Sequence, residues 1–209
     1  IYVEGIEKID PIDMENAKKW GYTIKPLAIA KRVGKELDLR IHPTLISLKT
    51  VLANVKYEDN AIFTRGDMVG DSLLYGKGAG SLPTASSVVG DIVEIAEGLN
   101  DFRRSTRPFS IGFPGGVKSL RKISDLVTRY YLRFSAIDKP GVLAQIANVF
   151  SENKISISTV TQRERKKGQP VPIIMLTHET NEGDMNRAFQ KIDRLSSITE
   201  KSVKIRIEG

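Results

Sequence analysis

The sequence of 209 residues has no cysteine and only two histidines, His42 and His178. Without cysteine it can form no disulfide, thiolate nucleophile or cysteine-based metal site. A zinc site needs three or four converging ligands, and the two histidines lie in different halves of the chain, so we predict no metal. The absence of disulfides fits a protein from a reducing compartment, and we expect a cytoplasmic location.

The sequence also lacks a long apolar run. None approaches the roughly 18 residues of a membrane-spanning helix, and the N-terminus does not have the layout of a signal peptide. We therefore expect no membrane partner. The chain begins at Ile1 rather than at methionine, which indicates processing or a part of a longer protein.

The chain has only a moderate excess of positive charge, with a formal net charge of +7. Much of the excess lies in residues 99–128 and in "RERKK" at 163–167, which reads as a hairpin tip. Basic loops of this kind are usually solvated, and specific nucleic-acid sites interleave them with aromatic side chains. We expect no nucleic-acid partner.

Two domains are expected from the length and from the change in pattern along the chain. Residues 1–98 contain more strands than helices. A short helix is predicted from Pro11, with Asp10 as N-cap and Gly21 past its end. The strands "YTIKPLAIAKRV" and "LDLRIHPTLI" follow, then two strands around Arg65-Gly66-Asp67. Helix 84–98 closes the domain, with an apolar stripe of Val88, Val89, Ile92, Ile95 and Ala96.

A glycine-rich stretch, "YGKGAGSLPTASSVVGDIVEIA" at 75–96, precedes and includes this last helix. Its glycines match neither the G-x-G-x-x-G dinucleotide fingerprint nor the Walker loop. On spacing alone the stretch is therefore a tight connection from strand to helix rather than a phosphate cradle.

Residues 99–128 are predicted to be a linker, because they are rich in proline and glycine and have little periodicity. Residues 129–209 then follow the order βαββαβ. The first helix buries Val142, Ile146, Val149 and Phe150, and the second buries Met185, Phe189 and Ile192. In such a unit both helices cover one face of a four-stranded antiparallel sheet, and the other face or an edge stays free to pair with a copy of the chain. The predicted fold class is α+β, a mixed sheet with helices on one face followed by a ferredoxin-like βαββαβ domain.

Some RNA-binding domains share the βαββαβ order and stack bases on aromatic residues of the two central strands. The first strand offers Tyr130, Tyr131 and Phe134, but "VPIIMLTHE" offers no aromatic residue. An RNA binder is thus the least favoured of three function classes, after an enzyme fragment and an amino-acid-sensing or dimer-forming module.

Residues 129–209 resemble an ACT domain, a regulatory module that pairs side by side and binds amino acids at the pair interface. The likeness is carried by "DKPGVL" at 138–143, the helix that follows, and Ile155-Ser156-Ile157. The resemblance implies an effector whose carboxylate meets the N–H groups of Gly141, Val142 and Leu143. Its ammonium would lie near Asp138 and its hydroxyl near Ser156, although many ACT domains carry asparagine at these last two positions.

Residues 1–98 resemble the C-terminal part of the catalytic region of homoserine dehydrogenase. The likeness rests on "EGI", "GYTIKPLAIAK", "HPTLI", "NAIFTRGDMVG" and the glycine-rich stretch. It implies a parent enzyme that interconverts aspartate semialdehyde and homoserine with NAD(P), with threonine as the expected effector. The family's dinucleotide-binding domain and catalytic lysine are absent from these residues, so we expect no catalytic residue, no bound cofactor and no activity in this chain alone.

Three residues are nevertheless expected near the chemistry of the parent enzyme. The resemblance places Gly80 and Thr84 against the nicotinamide end of the cofactor. Glu4 belongs to a run of carboxylates spaced by three residues, which is mostly a turn-and-cap pattern, and we retain Glu4 as lining the substrate side. A homodimer or homotetramer is expected, and the alternative to an enzyme fragment is a stand-alone amino-acid-binding or dimerisation module.

Overall fold

The structure is a computed structural model that describes residues 1–100, 119–162 and 170–209, without the side chains of residues 99 and 100. These residues form eleven strands and four α-helices. Their bounds are β1 Tyr2–Val3, α1 Pro11–Lys19, β2 Tyr22–Val33, β3 Glu36–Ser47, β4 Asp59–Gly66, β5 Gly70–Lys77, α2 Ser81–Asn100, β6 Ser119–Leu120, β7 Val127–Ala136, α3 Val142–Glu152, β8 Ile157–Gln162, β9 Val171–Thr177, β10 Thr180–Asn181, α4 Glu182–Ile192 and β11 Val203–Glu208.

The chain divides into two compact units. One comprises residues 1–48 and 117–209, and the other comprises residues 49–116. Most of the predicted linker and the predicted hairpin tip at 163–167 lie outside the described residues. The end of the predicted linker contains β6, a 3₁₀ turn at Ile123–Asp125 and the first residues of β7.

The C-terminal part of the first unit has the predicted βαββαβ order. Its four main strands lie in the order β11, β7, β9, β8, and all the neighbouring pairs are antiparallel. This is the strand order of a ferredoxin-like sheet, and the predicted fold class is confirmed. The residues predicted to face inward from the two helices are buried or packed against the core, which also contains Phe134 and Met175.

The N-terminal strands extend this sheet instead of forming a separate one. Strand β3 pairs along its length with β2 in antiparallel fashion. Its other edge pairs in parallel with β6, β1 and β11 in turn, and the contact with β11 joins Thr44 to Arg206. A nine-stranded sheet results. Among the described residues, β2 and β8 each pair on one side only.

Helix α1 begins as predicted. The side chain of Asp10 accepts a hydrogen bond from the N–H of Ile12, and Pro11 occupies the first turn, where its missing N–H costs nothing. Ala17 is fully buried, and Trp20 meets the ring of Tyr131 at 6.0 Å between centroids. Helix α1 therefore covers the sheet face opposite α3 and α4. Of the two surfaces expected to be free in the βαββαβ unit, α1 covers part of the face, and no strand in the described part of the chain pairs with the outer edge of β8.

The second unit consists of the β4–β5 hairpin and α2. The turn occupies residues 67–69, two residues later than predicted, because Arg65 and Gly66 still pair with β5, and α2 runs three residues further toward the N-terminus than expected. Its apolar stripe is not packed: Val88, Val89, Ile92 and Ile95 are each 52–63% exposed. The hairpin likewise exposes Ile62, Leu74 and Tyr75. Helical periodicity thus predicted an apolar face, and the described residues of this unit leave it exposed.

Candidate functional site

A cleft of about 390 Å³ opens where β7 ends and α3 begins. This volume lies at the small end of the range for ligand pockets, about 300–1,000 Å³. The lining residues belong to the β7–α3 loop and to two neighbouring strands: Ile137, Asp138, Lys139, Pro140, Gly141, Val142, Leu143, Gln162 and Ile173. The cleft therefore combines a helix start with two strand ends.

The turn into α3 depends on Gly141. This residue is the N-cap and has a φ of +89°, a conformation that residues with a Cβ rarely adopt. It has no side chain to cap the helix, and of the first N–H groups of α3 that of Val142 donates to the carbonyl of Lys139 in a long bond of 3.4 Å. Such N–H groups, together with the helix dipole, favour an anion such as a carboxylate.

Four of the five predicted effector residues, Asp138, Gly141, Val142 and Leu143, line this cleft. Ser156 does not. It precedes β8, whereas Gln162 at the far end of β8 lines the cleft, and six residues of strand separate the two by about 20 Å. Within one chain the direction of β8 places Ser156 away from this cleft, and its hydroxyl contact with an effector between two paired modules stays a prediction.

Sequence reasoning missed Gln162 and Ile173. Their part in the cleft depends on the pairing of β8 with β9, in which these two residues face each other. The polar end of "KISISTVTQR" was the available signal, but only the register of the pair brings it to the β7–α3 loop.

The predicted cofactor residues lie in the other unit, at the start of α2. Gly80 has a φ of +115°, and its carbonyl accepts the hydrogen bond from the N–H of Thr84 at 3.0 Å. A Cβ at Gly80 would lie 3.4 Å from the ring of Pro83. Both residues are exposed, so this turn fits the close approach of one end of a cofactor, but no dinucleotide-binding fingerprint accompanies it in the sequence.

Glu4 lies in a buried cluster of charges in the first unit. Its Oε2 accepts hydrogen bonds from Arg206 Nη1 at 2.9 Å and from the hydroxyl of Tyr2 at 2.8 Å. Arg206 is 2% exposed and also donates to both carboxylate oxygens of Glu182, at 2.6 and 2.8 Å. Lys204 donates to Glu182 as well.

These contacts decide the protonation of the acidic groups. Burial would raise the pKa of Glu182, but hydrogen bonds and charge from Arg206 and Lys204 outweigh burial and hold the pKa at about 2. Burial acts in the same direction on Glu4, and hydrogen bonds from Arg206 and Tyr2 keep its pKa below the ordinary value. Both carboxylates are therefore ionised at neutral pH.

The cluster continues along β3. Arg40 bonds Asp38 and Glu208, the latter at 2.6 Å, and its Nε donates to Nε2 of His42 at 3.1 Å. Because an arginine N–H can only donate, Nε2 accepts and the ring proton lies on Nδ1, which is 2.9 Å from the carbonyl oxygen of Pro43. Burial lowers the pKa of His42 to about 4, so the ring is neutral.

Polar and apolar residues alternate on β3 and β11, so each strand has a polar face. The structure buries much of that polar face: Asp38, Arg40 and Arg206 are each no more than 6% exposed. Each of these charges has an opposite charge beside it, which is the condition for burying them.

The two histidines do not form a common site. His42 is buried within the cluster, whereas His178 is exposed at the end of β9. In residues 1–100, 119–162 and 170–209 there is no group of three or more histidine, aspartate or glutamate side chains that could hold a metal ion. Nor does any helix of these segments have the length and apolar character to cross a membrane.

Comparison with known proteins finds family models that match two parts of the chain. Residues 1–93 match the family model described as homoserine dehydrogenase, and residues 130–197 match that of the ACT domain. The homoserine dehydrogenase of Helicobacter pylori is 40% identical over 210 residues, which cover 100% of this chain and 48% of that protein. That of Bacillus subtilis is 33% identical, with the same two coverages.

A solved structure agrees with these matches. The homoserine dehydrogenase of Thiobacillus denitrificans superimposes with a TM-score of 0.76 and 36% identity, covering 98% of this chain and 47% of the other. The chain thus spans about half the length of the curated relatives it matches. With two family models in chain order and whole-chain matches in agreement, this chain corresponds to the C-terminal part of the homoserine dehydrogenases that it matches.

Proposed function

We propose that a full-length protein containing this chain interconverts L-homoserine and L-aspartate 4-semialdehyde with NAD or NADP. The reaction would serve threonine, methionine and isoleucine biosynthesis in the cytoplasm. The observation that supports this most strongly is the 40% identity that extends over the whole chain. When bound, the nicotinamide accepts or supplies the hydride.

The chain's own contribution to that reaction is positioning. The exposed, Cβ-free turn at Gly80 lets backbone approach the cofactor, and the hydroxyl of Thr84 lies on the first turn of α2. On the substrate side we propose Glu4. Arg206 and Tyr2 both bond its Oε2, and Oε1 is the oxygen we assign to the ammonium of homoserine.

This chain alone should not oxidise homoserine, because hydride transfer requires a held cofactor and a positioned proton acceptor. The test compares the 209-residue chain with a full-length protein containing it, using homoserine and either NAD⁺ or NADP⁺. We expect turnover from the full-length protein alone. Turnover by the isolated chain would contradict the predicted inactivity, and an inactive full-length protein would contradict the proposed reaction.

The ACT module is proposed to bind an amino-acid effector, threonine, and to regulate the enzyme allosterically. The cleft supports this assignment, because it joins the N–H groups at the start of α3 to the carboxylate of Asp138. The effector's carboxylate would meet Gly141, Val142 and Leu143, and its ammonium would meet Asp138. Gln162 is an additional polar group at the same cleft.

A second candidate function is a stand-alone amino-acid-binding or dimerisation module without catalysis. The same cleft and the one-sided pairing of β8 favour it. The activity of the full-length protein separates the two candidates, because only the enzyme turns over homoserine. In either case we propose a homodimer or homotetramer.

A further inference from the structure

Strand β1 has little backbone support of its own. It contains two residues, which pair with Arg40 and Ile41 of β3. One further backbone bond runs from the N–H of Glu4 to the carbonyl of Ile41 at 2.9 Å. So short a strand is fixed chiefly by what its side chains contact.

The side chains of Tyr2 and of the next-but-one residue, Glu4, contact Arg206 on the last strand of the ACT module. The Arg206 guanidinium meets Glu4 at 2.9 Å and the hydroxyl of Tyr2 at 3.0 Å, and its central carbon lies 4.8 Å from the centre of the Tyr2 ring. These contacts join residues 202 and 204 positions apart in sequence. They connect the last strand of the ACT module to the segment proposed to face the substrate.

Arg206 is itself held rigidly. Its Nε and Nη2 bond the two carboxylate oxygens of Glu182, the first residue of α4, where the helix dipole favours a negative charge. This leaves Nη1 directed at Glu4. The planar fork serves several partners at once, which a lysine ammonium cannot reproduce.

We propose that Arg206 is a positioning residue that, backed by Glu182, fixes Tyr2 and Glu4 at the substrate side of the enzyme. The inference rests on the proposed function for the role of Glu4. It makes the ACT module part of the scaffold of the substrate segment as well as its regulator. The contacts that carry it all lie within the first compact unit.

The experiment uses the full-length protein with Arg206→Met, Arg206→Lys and Glu182→Gln. Two quantities are measured: amide hydrogen exchange in a peptide covering residues 1–6, and the KM for homoserine beside the KM for the cofactor. We expect Arg206→Met to accelerate exchange and to raise the homoserine KM by about tenfold. This factor corresponds to the loss of one hydrogen bond to a charged group. The cofactor KM should not change. Arg206→Lys and Glu182→Gln should act in the same direction, and they supply the test if Arg206→Met does not fold.

Arg133→Met is the matched control. Arg133 lies on β7 and makes a comparable pair with Asp13 of α1, at 2.7 and 3.1 Å, and is 12% exposed at the side chain. This control should lower stability while leaving the homoserine KM and the exchange of residues 1–6 unchanged.

Wild-type exchange and homoserine KM in folded Arg206 and Glu182 variants would overturn the inference. Faster exchange with an unchanged KM would also overturn it, because β1 would then be held for stability alone. Failure of the proposed function is distinct, since the wild-type protein itself would not turn over homoserine.

Discussion

Asp138 is the single residue on which the proposed effector site depends most. Asp138→Ala should abolish the thermal shift caused by threonine, because the effector's ammonium loses its carboxylate partner. Such a charge-assisted bond contributes about 1.5–3 kcal/mol, so affinity should fall at least about tenfold. Calorimetry or thermal shift with threonine, serine, isoleucine and methionine measures the change.

Asp184→Ala is a suitable control for this prediction, since Asp184 lies on α4 away from the cleft and pairs with Arg187. It should leave the threonine response intact. A response that survives in Asp138→Ala would disprove the site. No response to any of the four amino acids in the wild type would leave the module as a structural dimerisation element.

Gly80 is the residue whose backbone makes the turn into α2. A side chain at its φ of +115° is strained, and in the full-length enzyme it would also fill the space proposed for the cofactor. Gly80→Ala should therefore raise the KM for the cofactor in addition to costing about 1 kcal/mol of stability. Steady-state kinetics at varied cofactor concentration gives the KM.

A substitution at the hairpin glycine Gly70 is the control that distinguishes backbone strain from loss of cofactor contact. Its φ is +72°, and an added Cβ would have no atom within 4 Å. Gly70→Ala should lower the free energy of unfolding by a similar amount and should not change the cofactor KM. If both substitutions raise the cofactor KM equally, the role of Gly80 is purely structural.

At the level of elements, the β3–β11 pairing brings buried titratable groups together, and His42 makes it sensitive to acid. Its pKa is about 4 in the folded chain against an ordinary 6.5, so the unfolded chain takes up a proton first as the pH falls. The free energy of unfolding should therefore decrease from pH 6.5 toward pH 4, by about 3 kcal/mol in total. Denaturant unfolding at several pH values in this range measures the decrease.

His42→Gln keeps an acceptor for Arg40 but cannot titrate, and it should flatten the dependence between pH 6.5 and 4. His178→Gln should leave it unchanged, because His178 is exposed. An equally steep dependence in His42→Gln would assign the acid sensitivity to other groups. Glu182, with its pKa of about 2, loses its contribution only at lower pH, from about 4.5 downward.

For the whole molecule, the open question is assembly. The stripe on α2 is more than half exposed, and β2 and β8 each pair on one side only among the described residues. Large apolar surfaces of this kind usually mark interaction sites. Light scattering at micromolar concentration should therefore give the mass of a dimer or larger assembly.

Ile92→Lys tests whether α2 provides the contact, and it should lower the measured mass. Asp91→Asn adds the same single charge to the same helix without removing apolar surface, and it should not change the mass. A monomeric wild-type chain would contradict the prediction of an oligomer. An unchanged mass in Ile92→Lys would show that α2 does not provide the contact, and the edges of β2 and β8 would then be the candidates.

Local features of the molecule were predictable from the sequence alone. The N-cap at Asp10, the presence of a hairpin near Gly66 and the inward faces of α3 and α4 follow from residue type and spacing over a few positions. The loop at 138–143 was recognisable for the same reason, since its residues are consecutive and the helix start that they form is local.

Only the tertiary structure decided the features that depend on distant residues. The pairing of β3 with β11 merges the two predicted domains into one sheet, and alternation within either strand carries no information about this partner. The same pairing places the polar faces of the two strands in a buried cluster centred on Arg206, because opposite charges from distant segments come together there. It is also strand direction and register, set by the whole sheet, that bring Gln162 into the ACT cleft and carry Ser156 out of it.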